Sequence, residues 1–362
     1  MDIKRINSID KKIKKESLSK ENHICIASQF GISCNELAVK SHSYWKKGMI
    51  DYLAVDNKVL TLGFDEVELI KTDVYGSFYK EVSVKSANTF GGFCRTHDDQ
   101  IFSIIEKNNC MPPYSIEQQF LFMVRALSYQ YVHEKDSRDW INRSIQKPYP
   151  KQIVSDSEWA GMESKFRIVK MYTEKEDDIL AKLAPWFDNA KQCFLQEKNG
   201  ISFDTDNINR LFRFKSYEIK GNLDFAALGI YTPELIHNRT ERNDMAIFNI
   251  IPHSNGGYLL ICYLPHSFIE ENIIKQIDSF NNADTTGDCL KAIIENLVIE
   301  HTENIILSPR INQSRLNVLE QQFKKSCRDS IYLRNEKIPI KTRMKIAESM
   351  TLFKWVPRVL FE

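Results

Sequence analysis

The stretch GGFCRTHDDQIFSIIE, Gly91 to Glu106, sets a cysteine, a histidine and two aspartates at the front of an apolar run. Thr96 reads as the N-cap of a short helix with Asp99 three positions on, so His97 and Asp98 fall in its first turn while Ile101, Ile104 and Ile105 face a core. Cys94 then sits on the knuckle before the helix. A thiolate and an imidazole spaced like Cys94 and His97 can converge on one cation at the roughly 2.0 to 2.3 Å that tetrahedral zinc requires. Two further ligands must come from elsewhere. Cys25 and Cys34 are the candidates, because they stand in a polar, turn-prone segment and not in an apolar run where cysteine is packing. Their separation is longer than the usual spacing of a knuckle pair. The alternative for Cys94 and His97 is a buried thiol beside a helix-capping histidine. Carboxylates in a first turn gain about 0.3 to 1 kcal/mol from the helix dipole without any metal, which is the reading of Asp99.

Outward from this stretch, the segment upstream holds β-like runs: KVLTLG from Lys58, VELI from Val67 and FYKEVSVK from Phe78. Downstream the period becomes helical, with Phe120, Val124, Leu127 and Tyr131 three or four apart and Ser115 placed as an N-cap. That spacing assigns Phe120, Phe122, Tyr129 and Tyr131 to a core and not to a base-stacking platform. A second long helix is expected over about 158–196, broken near Pro185. Strand character returns in RLFRFKSYEI, MAIFNIIP, GGYLLICYLP and NIILSP, with Gly256-Gly257, preceded by Ser254-Asn255, read as a hairpin turn between the second and third. SFIEENIIKQIDSF and CLKAIIENLVIEH read as amphipathic helices packed on those strands.

The cysteine and histidine arrangement resembles the HNH endonuclease superfamily, whose ββα-metal core is a zinc-knuckle relative. The matching pieces are Cys25 and Cys34, KSHSYW around His42, and FCRTHD from Phe93 to Asp98. The resemblance implies structural zinc on Cys25, Cys34, Cys94 and His97. It implies His42 as the general base that activates water, and Asp98 as a ligand of catalytic Mg2+ or Mn2+. The family's middle asparagine has Asn88 as its rough counterpart. No glycine pair or proline follows His42, and the interval from His42 to Cys94 exceeds the compact family core. The resemblance covers at most the first third of the chain. Without it, His42 reads as a histidine hydrogen-bonded between strands. The combination of SH, GFCxxHDxxIF and FLFMVRAL also resembles bacterial proteins, some of them linked to phage defence; it carries no mechanism.

The expected fold is α+β: an N-terminal zinc-stabilised ββα-like module, a helical middle segment, and a C-terminal α/β layer with mainly antiparallel strands. The divisions are a basic leader over 1–20, the module over 21–112, the helical segment over 113–200 and an α+β domain over 201–362. The expected function is metal-dependent hydrolysis of nucleic-acid phosphodiesters. The alternative is a non-catalytic, zinc-stabilised protein that binds nucleic acid or protein, and a third reading gives the C-terminal region a small ligand.

Composition bounds these readings. With 362 residues the chain is long enough for several cores, and 43% hydrophobic residues with 13 glycines and 11 prolines describe a globular protein. Forty-nine basic against 48 acidic residues give no global field toward phosphate or an anionic membrane, so any nucleic-acid contact must be a local patch. No signal peptide and no spanning run is read, so a soluble, cytoplasmic protein is expected, with a homo-oligomer or protein partner possible through the C-terminal region. Of the eight cysteines, Cys193, Cys262 and Cys289 stand in apolar company as reduced core thiols. His253 and His266, with Asp288 or His301, have no ligand spacing, and the histidines read as loop residues.

Overall fold

The computed structural model describes residues 23–62, 79–106, 110, 112–145, 177–197, 200–233, 244–284, 286–302, 304–334 and 360. The leader over 1–20, the expected strand at Val67 and the first part of the second long helix lie outside these residues. The strands are β1 (Lys40–His42), β2 (Lys58–Leu62), β3 (Tyr79–Ser83), β4 (Thr89–Gly91), β5 (Phe194–Glu197), β6 (Gly200–Phe203), β7 (Arg213–Lys220), β8 (Phe225–Tyr231), β9 (Ala246–His253), β10 (Gly256–Tyr263) and β11 (Asn304–Leu307). The longer helices among the described residues are α1 (Arg95–Glu106), α2 (Ile116–Ile145), α3 (177–191), α4 (Thr205–Leu211), α5 (Lys275–Ala283), α6 (Asp288–His301) and α7 (Gln313–Arg334).

The fold mixes helix with antiparallel sheet. Seven strands in the order β3-β2-β11-β8-β9-β10-β7 form one sheet in which every neighbouring pair is antiparallel. It takes β2 and β3 from the stretch 21–112 and its other five strands from 201–362. Because successive side chains point to opposite faces, the central strands feed two cores. Ala226, Leu228, Ile247, Ile251, Leu260 and Ile306 join the core that also contains α2 and the cysteine segment. Phe225, Ala227, Phe248, Ile250, Leu259 and Leu307 join the core beneath α5, α6 and α7. Both faces are therefore covered, and β8 and β9 are buried along nearly their whole length.

Local chemistry explains several boundaries. Ser115 caps α2 reciprocally with Gln118: Gln118 N donates to Ser115 Oγ at 3.3 Å, and Ser115 N donates to Gln118 Oε1 at 2.9 Å. The hairpin between β9 and β10 turns through Ser254 and Asn255, with Gly256 paired to His253. Gly256 has φ +145, and a Cβ there would lie 2.1 Å from Ile219 O, so glycine is required. α3 runs through Pro185 to residue 191 without the expected break, with Trp186 and Phe187 buried just after the proline. The chain then turns into β5, where the extended helix was expected. β8, with the run FAALGIY, was not among the expected strands: a strand covered on both faces has no polar alternation to mark it.

Candidate metal centre

Residues 23–39 form a loop whose ends pair with each other. Ile24 bridges Leu37, Cys25 N donates to Glu36 O at 2.9 Å, and Ala38 N donates to His23 O at 2.7 Å. A short turn of helix, Ile26–Phe30, ends at Gly31 in the left-handed conformation, φ 77, and folds Cys34 back beside Cys25. Phe30 anchors this turn at ring-centroid distances of 5.1 to 6.2 Å from Phe93, Phe187 and Phe194. The loop is clipped to the segment before α1 by Ile26 N to Gly92 O at 2.8 Å and Val39 N to Phe93 O at 2.7 Å. β1 pairs with β4, Lys40 opposite Gly91 and His42 opposite Thr89, which brings the end of β4 and the start of α1 against the loop.

α1 begins at Arg95, one residue before the expected cap at Thr96, and Asp98 N donates to Cys94 O at 2.9 Å. Cys94 thus holds the capping position and His97 lies three residues on, so both side chains turn to the same side. One donor atom from each of Cys25, Cys34, Cys94 and His97 lies within 4.8 Å of all the others. Cys94 Sγ is 3.3 Å and Cys25 Sγ 3.6 Å from His97 Nδ1, and Cys34 Sγ is 3.9 Å from Cys94 Sγ. Bond lengths of about 2.3 Å to sulfur and about 2.0 to 2.1 Å to nitrogen give tetrahedral edges of about 3.8 Å between sulfurs and about 3.5 Å from sulfur to nitrogen. The group can hold a metal ion.

The electrostatics agree with a site that wants a cation. Burial pushes the Cys25 thiol up to about 12, backbone N–H groups of Cys94 and Ala27 pull it down, and the neighbouring thiols raise it again. Burial likewise raises Cys94, with the backbone N–H of His97 opposing, and lowers His97. Three crowded sulfurs cannot all ionise without a positive charge among them, whereas a bound cation favours the thiolates and those N–H groups support them.

The other candidate residues lie on the inner side of α1. His42 ends β1, its Nδ1 is 3.1 Å from Ala87 O, and burial lowers its pKa. Burial raises Asp98, and the Arg125 guanidinium opposes that rise. The Ser41 hydroxyl also opposes the rise, and both Ser41 Oγ and Asp98 Oδ1 are buried. Arg125, 3% exposed on α2, bonds Glu106 Oε1 at 2.5 Å and lies 4.2 Å from the Phe102 ring centroid. Sequence reasoning assigned no role to this pair; an arginine on the apolar face FLFMVRAL was its only signal. Asn88, in the turn before β4, donates through its side-chain amide to Asn304 Oδ1 on β11, which fastens the β1/β4 pair to the sheet. Tyr44 OH donates to Asn304 O from the same side.

Cys193 and Cys262 are buried free thiols, and Cys289 is a half-buried one. His253 ends β9, His301 ends α6, and His266 sits in a turn with φ 59. These histidines are not brought into a metal-suited group among the described residues. Nor is any helix of the described residues long and apolar enough to cross a membrane. In comparisons with known proteins, no family model, no curated protein and no solved structure matches the chain.

Proposed function

We infer that Cys25, Cys34, Cys94 and His97 hold a structural zinc ion, and that the chain is a zinc-stabilised binding protein and not a hydrolase. The observation that carries this reading is the mutual spacing of four donor atoms from two separate stretches of chain, all within 4.8 Å. Three thiols and one imidazole are the donor set of a closed structural zinc site, with no position left for water. Bound there, zinc would cross-link the loop over 23–39 to the start of α1. Within this reading the ββα-like order is β1, β4 and α1, with β2 and β3 contributed to the large sheet in between.

The surroundings of the second candidate group weigh against a catalytic cation. Asp98 feels the positive charge of Arg125 and its Oδ1 is buried, both of which disfavour a hard Mg2+ or Mn2+ ion there. The Asn88 amide is engaged with Asn304. A net charge of +1 supplies no phosphate-seeking field, and Ile24, Leu37 and Val39, all more than 40% exposed beside the cysteines, favour a protein partner over nucleic acid.

One observation favours the second reading, phosphodiester hydrolysis. Ala87 O only accepts, so its contact with His42 Nδ1 assigns the proton to that nitrogen and leaves the lone pair on Nε2, the state a general base needs. Elemental analysis of the purified chain, with DNA and RNA cleavage assays in Mg2+ and Mn2+ beside His42→Ala and Asp98→Ala, separates the two. About one zinc per chain with no cleavage is expected. Cleavage by the wild type that both variants lose would overturn the binding-protein reading, and a chain without zinc would overturn the metal assignment.

A further inference from the structure

Far from the cysteines, on the opposite face of the sheet, a main-chain clamp grips one residue of a distant segment. Glu295 lies in the middle of α6 and is 0% exposed, in a helix whose other buried residues include Leu290, Ile294 and Val298. A carboxylate so placed costs several kcal/mol of desolvation unless strong donors satisfy it. One donor is the backbone N–H of Leu360, 65 residues along the chain, at 2.7 Å from Glu295 Oε1. The carbonyl of the same residue accepts from Arg315 Nη2 on α7, also at 2.7 Å. The Leu360 side chain is 1% exposed and belongs to the core beneath α5, α6 and α7.

Three contacts thus read one residue: an acceptor for its N–H, a donor for its C=O and an apolar socket for its side chain. Strand addition satisfies a peptide residue with the same donor and acceptor pattern, supplied there by a neighbouring backbone. Here two polar side chains on packed helices do it. Ser326 of α7 donates to Glu300 of α6 at 2.5 Å and holds the two helices in register. We propose that Glu295 and Arg315 form a peptide-binding site for a leucine-bearing segment, filled by Leu360 of the same chain and able to take that segment as a separate peptide.

The test uses the full chain carrying Leu360→Asp, which empties the socket, and a fluorescent peptide of residues 356–362, VPRVLFE. Saturable one-to-one binding to this variant is expected, at least ~10-fold tighter than to the wild type, whose own Leu360 competes. Methylating the peptide's leucine nitrogen removes the donor to Glu295 while keeping the side chain, and should weaken binding about 10- to 100-fold. Equal binding of the two peptides, or no binding of either, overturns the proposal. Should Leu360→Asp fail to fold, hydrogen exchange decides. The Leu360 amide should be protected in the wild type and exchange at least ~10-fold faster in Glu295→Met, which keeps the shape and loses the acceptor. An unprotected amide in the wild type also overturns it.

Discussion

Replacing Cys94 by serine tests the centre most directly. Its sulfur is the hub of the group, 3.3 Å from His97 Nδ1 and 3.9 Å from Cys34 Sγ. A cation there closes a chain loop of 72 residues between Cys25 and His97. The chain-entropy relation for a cross-link of that length gives about 4 kcal/mol of stabilisation through the unfolded state, before any metal–ligand bond energy. Domains are typically stable by about 5 to 15 kcal/mol, so a loss of this size is a large fraction of the whole. At about 2 to 4 °C per kcal/mol, the unfolding midpoint should fall by about 8 to 16 °C. Scanning calorimetry of wild type, Cys94→Ser and a Cys289→Ser control, each with and without a strong zinc chelator, measures it. The chelator should move the wild type and the control by a similar amount and leave Cys94→Ser little changed. A Cys94→Ser midpoint within about 1 °C of wild type, with the wild type insensitive to chelator, would refute the reasoning.

Three further outcomes are expected. His42 is held neutral by burial, so its folded pKa lies below its unfolded value near 6.5; the unfolded chain takes the proton first, and stability falls as pH drops below about 6.5. His42→Asn should flatten that slope, read as urea midpoints between pH 5 and 8; an unchanged profile argues against a buried neutral imidazole. Asn88→Ala strips Asn304 Oδ1, in a residue 2% exposed, of a donor and should cost about 1 to 3 kcal/mol in denaturant unfolding. Gly256→Ala drives a Cβ toward Ile219 O at a positive φ and should cost about 2 to 4 kcal/mol, with faster amide exchange along β10.

The helix of GGFCRTHDDQIFSIIE, the N-cap at Ser115 and the hairpin near Gly256-Gly257 were legible because each depends on residues within a few positions of one another, although the turn itself falls at Ser254-Asn255 and both glycines belong to β10. The same holds for the pairing of Cys94 with His97, a single turn of one helix. Cys25 and Cys34 were legible as candidates by their polar company, yet their separation matched no compact knuckle; it is the turn ending at Gly31 that closes it. Arg125 on Glu106, and Asn88 on Asn304, were not legible, because those contacts join α2 to α1 and a turn to β11 across the core.

By itself, then, the sequence determined the short-range devices: periods of apolar residues, caps, turns and the residue types able to bind a cation. Tertiary structure alone decided that β2 and β3 share a sheet with β11, that both faces of that sheet are covered, and that four donors meet. It also decided that Glu295 closes on Leu360. Local pattern encodes which face of an element is apolar, whereas partners tens or hundreds of residues apart are selected only when whole elements pack and buried polar groups must all find one another.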